Sequence, residues 1–137
     1  MKRKFLLAAL VVTIIACKKS EDNSPSNKIK PALTNVFGTW ELLRVHTGWG
    51  KSGDLAPGNG DKYILNSDST YVRYVGNKIQ AQGNYSIKIT ETRDSMRFGM
   101  IKFTNPTSLE NFQTRPKTIL FGTTAADGPA YEYKKIK

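Results

Sequence analysis

Between Ile79 and Thr90 apolar and polar residues alternate almost without a break. Ile79, Ala81, Tyr85, Ile87 and Ile89 share one parity, and Gln80, Gln82, Asn84, Ser86, Lys88 and Thr90 the other. A period of two puts successive side chains on opposite faces of an extended chain, so this stretch is a strand with one buried and one wet face. Burial on one face only is the pattern of antiparallel sheet. Gly83 falls on the buried parity, where it predicts a bulge or a sharp bend.

The chain around it reads the same way in shorter pieces. Strands are expected over Val36–His46, Lys62–Asn66, Thr70–Val75, Ser95–Thr104, Lys117–Gly122 and Tyr131–Ile136, with a weaker one over Ser108–Gln113. Between them lie turn residues: Asn66-Ser67-Asp68-Ser69, the two-residue hairpin signal Gly76-Asn77, the polar turn Glu91–Asp94, the breaker Asn105-Pro106 and Asp127-Gly128. A long Gly-rich loop runs from Thr47 to Gly60. No stretch carries a helical period. Eight strands with a turn every few residues predict an all-β fold, an eight-stranded up-and-down antiparallel barrel. Such a barrel has an interior just wide enough for side chains or one small ligand, and closure removes the exposed sheet edges.

The first 33 residues are of another kind. Lys2, Arg3 and Lys4 precede an apolar run from Phe5 to Ile15, then Ala16 and Cys17. The run is shorter than the ~20 apolar residues that span a bilayer, so it reads as an export signal. The end of it, Ile14-Ile15-Ala16-Cys17, resembles the bacterial lipobox, with Ile14 where Leu is usual. The resemblance implies that Cys17 takes a diacylglycerol on its sulfur, that residues 1–16 are removed, and that the new amine is acylated, for example by palmitate. The alternative is a soluble secretory signal followed by a chance cysteine. Residues 17–33 are polar and contain Pro25 and Pro31, which predicts a flexible tether. Lys19-Ser20-Glu21-Asp22 resembles the surface-export signal of some Gram-negative lipoproteins. The expected location is the outer membrane, periplasmic or surface-facing.

Charge and cysteine content narrow the function. The net charge of the 137-residue chain is +10, with 21 basic and 11 acidic residues. Without the three basic residues of the leader it is 18 − 11 = +7. Export argues against nucleic acid as the partner. A basic surface beside an anionic membrane is the simpler reading, and a site for an acidic ligand the sharper one. Cys17 is the single cysteine, so once it is acylated no thiol remains for a disulfide, a metal or catalysis.

Gly38-Thr39-Trp40 at the start of the first strand resembles the lipocalin signature Gly-x-Trp. The order of the later segments resembles the small lipocalin-like lipoproteins of Gram-negative envelopes: a long loop, Lys62-Tyr63-Ile64-Leu65, Ser67-Asp68-Ser69, Thr70-Tyr71, Gly83-Asn84-Tyr85, and the closing strand Tyr131-Glu132-Tyr133-Lys134-Lys135-Ile136. The likeness covers Val36 to the end, so the barrel domain is taken as residues 34–137. It implies a small hydrophobic or amphipathic ligand inside the barrel, with the first long loop as a lid. Gly38 and Trp40 would be structural, Trp40 packing the barrel bottom. Where these proteins stack an Arg on the tryptophan, the last strand here offers Lys134 or Lys135.

Parity and loop position nominate the candidate site residues. Trp49 is the one large apolar group of the loop and would cover the mouth or touch a ligand. Gly48–Gly53 spells G-x-G-x-x-G, but Asp54-Leu55-Ala56-Pro57 cannot open the helix that a dinucleotide site needs. If Trp40 and Leu42 point inward, alternation sends Arg44 and His46 inward too, unless a bulge intervenes. Tyr71 and Arg73 share one face of their strand, and Tyr131 and Tyr133 one face of theirs. An inward Arg44 or Arg73 with the Tyr71 and Tyr133 hydroxyls could hold a carboxylate in an apolar cavity. Solvent-facing arginines are the plainer alternative. A single His and no paired carboxylates, G-x-S-x-G or H-E-x-x-H give no catalytic set, metal site or cofactor motif. A barrel filled by its own side chains, working as an interaction or inhibitor module, is the competing expectation.

Overall fold

A computed structural model describes residues 35–48, 50–122 and 128–137. Nine strands occur in chain order: β1 Gly38–His46, β2 Gly53–Asp54, β3 Lys62–Leu65, β4 Thr70–Val75, β5 Lys78–Arg93, β6 Met96–Thr104, β7 Thr107–Arg115, β8 Thr118–Gly122 and β9 Ala130–Lys135. From β4 onward each strand pairs antiparallel with its predecessor, β3 pairs with β1, and β9 closes on β1. The eight longer strands form a closed up-and-down barrel with the neighbour order of a lipocalin-like fold. The two-residue β2 pairs only with β1, outside the ring.

The turns hold for local reasons. Between β3 and β4, Asp68 Oδ1 accepts from the Thr70 amide and hydroxyl at 2.9 and 2.7 Å. Its carboxyl is held below the ordinary value chiefly by the Thr70 hydroxyl. Between β4 and β5, Gly76 and Asn77 have φ of 55° and 65°, the two positive values a primed two-residue turn requires. The expected turn at Glu91–Asp94 is displaced to Asp94-Ser95, because Thr92 and Arg93 still pair with Arg97 and Met96. The weak stretch Ser108–Gln113 is part of the nine-residue β7, whose ladder with β6 is continuous from Thr107 to Thr114. Pairing with a strongly apolar neighbour overrides its modest propensity.

β5 is sixteen residues long. It pairs with β4 through residues 78–84 and with β6 through residues 85–93. Gly83 sits just before this change of partner and carries no register shift. Instead it is a point of close approach: a Cβ there would stand 2.8 Å from Thr104 Oγ1. Side chains at and just past the end of β6 continue its bonding to β5. Thr104 Oγ1 accepts from the Asn84 amide at 2.9 Å, and Asn105 Nδ2 donates to the Gln82 carbonyl at 3.3 Å.

Register shifts occur elsewhere. On β5 they fall between Ala81 and Ile79 and between Ile89 and Glu91. On β1 the shift falls between Leu42 and Arg44. Each adds one residue to one strand and so reverses the parity beyond it. Ile79, expected on the buried face, therefore pairs with the outward Tyr74 and is 59% exposed.

One end of the barrel is shut. Trp40 is fully buried, and its Nε1 donates to the Val36 carbonyl at 2.8 Å. Lys135 Nζ lies 5.3 Å from the Trp40 ring centre. Gly38 has φ 136°, and a Cβ there would lie 2.3 Å from the Lys137 carbonyl oxygen. The Thr39 amide donates to that same oxygen at 2.9 Å. Above Trp40 the interior is filled by Tyr63, Tyr71, Phe103, Phe121 and Tyr133, whose ring centres stand between 4.6 and 6.4 Å apart.

Candidate functional site

The bulge on β1 decides which arginine faces the interior. Leu42 is opposite the buried Tyr133, but Arg44 is opposite Glu132, so Leu43 is the extra residue. Val45 takes the inward position and packs on the core. Arg44 is thereby turned to the outer face, where Nε and Nη2 donate to both carboxylate oxygens of Asp54 on β2. That pair holds the Asp54 carboxyl below its ordinary value. The expectation that Arg44 could line the cavity is corrected by this geometry. His46 is on the outer face as well, with Nε2 2.9 Å from Glu132 Oε2. The pair borders an open outer pocket of about 200 Å³ shared with Gln113, Arg115, Thr118 and Leu120.

Arg73 and Tyr71 face inward. The β3–β4 register sets Leu65 opposite Tyr71 and Tyr63 opposite Arg73. The Arg73 guanidinium carbon lies 5.6 Å from the Tyr63 ring centre, within the range of a cation–π contact. Tyr63 is at the middle of the ring cluster, 5.4 Å from Tyr133, 5.5 Å from Phe103 and 5.3 Å from Phe121. The structure thus brings together Tyr71, Arg73 and Tyr133, and adds Tyr63. The sequence held a signal for Tyr63: the Asn66–Ser69 turn fixes the hairpin register, which places Tyr63 beside Arg73.

The hydroxyls divide into two groups. Tyr71 donates to the Asn105 carbonyl at 2.5 Å and Tyr85 to the Asn66 carbonyl at 2.6 Å. The Tyr63 and Tyr133 hydroxyls have no hydrogen-bond partner among the described residues. Burial pushes the Tyr63 phenol up to about 12, with the nearby Arg73 charge working against the rise. Burial raises Tyr133 and Tyr85 as well, and Arg73 again opposes it at Tyr133. Two phenols without a hydrogen-bond partner among the described residues and a guanidinium leaning on one of them therefore lie at one aromatic cluster, groups that can bind an anion through charge and hydrogen bonds.

Trp49 and Cys17 lie outside the described residues, as does the Asp127 of the last turn. Gly38 and Trp40 belong to the closed end, away from Arg73. The Gly48–Gly53 loop leads into β2, which pairs with Arg44 and Val45 of β1. Among the described residues no group of three or more His, Cys, Asp or Glu side chains is placed to hold a metal ion. Comparison of the chain with protein-family models, with curated proteins and with solved structures finds no match.

Proposed function

We propose that the barrel holds a small amphipathic molecule at its open end, with its anionic head group on Arg73 and the Tyr63 and Tyr133 hydroxyls. The carrier is a lipocalin-like lipoprotein, held to the cell envelope by acyl chains on Cys17. One observation carries the ligand reading. Arg73 is half-buried on the interior face, leans on Tyr63, and makes no ion pair among the described residues. A half-buried guanidinium without a carboxylate is open to a bound anion. No chemical step is assigned to the site.

Replacing Arg73 by Met tests this directly. Calorimetric titration should show loss of binding for a medium-chain carboxylate and retention of the matching neutral alcohol. Equal loss of both, or of neither, would overturn the reading. A second reading has its own observation. The ring cluster fills much of the barrel, and Val75, Ile79 and Leu109 are 41%, 59% and 62% exposed. That combination suits a filled interaction module. Native mass spectrometry of the protein purified from its own host separates the two: a co-purifying small molecule supports the first, and a bare mass the second.

A further inference from the structure

The strand opposite Arg73 carries a second charge that the wall does not explain. β7 alternates strictly: Ser108, Glu110, Phe112 and Thr114 share one parity, and Thr107, Leu109 and Asn111 the other. Phe112 and Thr114 are only 3% and 1% exposed, while Leu109 is 62% exposed. Glu110 is therefore on the interior parity, opposite Ile101, which is fully buried. It is half-buried and forms no ion pair or side-chain hydrogen bond among the described residues. β4 and β7 are separated by β5 and β6 in the ring, so Arg73 and Glu110 approach the same space from different walls.

Both charges are felt at one point. At the Tyr63 phenol the Arg73 charge favours ionisation and the Glu110 charge opposes it. The other acidic group acting here is Asp61, which is felt at Tyr133. Its Oδ1 already accepts from the Gly76 amide at 2.6 Å. Arg73 and Glu110 do not pair with each other. Two half-buried opposite charges that make no ion pair among the described residues are each free to take a partner, and one molecule can supply both.

We infer that the ligand of this mouth is zwitterionic: an anionic group on Arg73 and a cationic, amine-type group on Glu110, joined by a short apolar span over Tyr63 and Tyr133. The inference rests on the proposed Arg73 site and adds its second pole. Calorimetry of the full chain with ω-amino carboxylates, from aminohexanoate to aminododecanoate, tests it against the plain carboxylate of each length. At least one length of amino acid should bind roughly tenfold tighter than its plain counterpart, the gain of one charge-assisted contact. Glu110→Gln should erase that advantage, the amino acid then binding no tighter than the plain carboxylate, with circular dichroism confirming the fold. Arg73→Met should weaken both. An amine that brings no gain at any length, or a gain that survives Glu110→Gln, would overturn the inference while leaving the Arg73 site standing. Failure of every probe to bind would remove both.

Discussion

Tyr63 shows how one residue can serve packing and chemistry at once. Its ring touches four aromatic neighbours and supports Arg73, while its hydroxyl has no hydrogen-bond partner among the described residues. The same burial raises its phenol to about 12 from an ordinary 10.0, and raises Tyr85 and Tyr133 too. The sign of the consequence is fixed. Below pH ~10 the phenols are neutral in both the folded and unfolded chain and the stabilisation is fully present. As pH climbs, the unfolded chain ionises first, so stability falls from the ordinary value up through the folded ones. Denaturant midpoints measured across this alkaline window should drop steeply, and Tyr63→Phe should flatten the drop. Gly38 is a second case. Its positive φ and the Lys137 carbonyl leave no place for a Cβ, so Gly38→Ala should cost about 1–3 kcal/mol. Thermal unfolding of the two proteins checks this.

At the scale of the strand, single extra residues matter more than composition. Leu43 adds one residue to β1, and that insertion turns Arg44 out and Val45 in. Deleting Leu43 should turn the bulge into a regular ladder in which Leu42 stays in, Arg44 out and Val45 in. The expected result is a protein that still unfolds cooperatively, seen as a single sharp melting transition. Arg44→Met, by contrast, removes only an exposed pair with Asp54. It should leave binding of a carboxylate probe unchanged, in contrast to Arg73→Met. The bulge in β5 works in the same way on Ile79. These shifts have no local signature in the sequence: nothing in Leu42-Leu43-Arg44 or Ile79-Gln80-Ala81 differs from an ordinary strand. They arise where a neighbouring strand of different curvature must stay paired.

For the molecule as a whole, closure by β9 on β1 supplies the kind of stability that disulfides give to many small domains. The barrel must rest on packing and hydrogen bonds, since the chain has one cysteine, Cys17, and that is the proposed acylation site. Cys17→Ser should release the protein from membranes in its host and abolish incorporation of labelled palmitate, with the melting temperature of the barrel unchanged. Palmitate incorporation into the variant, or membrane retention without it, would remove the anchor from the proposal.

Alternation and turn chemistry were enough to place eight strands, their order and the antiparallel closure, because a period of two and an Asn, Asp or Gly at a turn act within a few residues. They also set Tyr71 with Arg73 on one face of a strand, and the Gly-x-Trp resemblance put Trp40 at a closed end. Which way Arg44, His46 and Ile79 point, where Tyr63 comes to lie, and the placing of Arg73 and Glu110 on separate walls of one interior were decided by the assembled barrel. Facing is set by pairing across strands far apart in the chain, and one inserted residue reverses it. A sequence records the residues that could meet; the closed ring selects those that do.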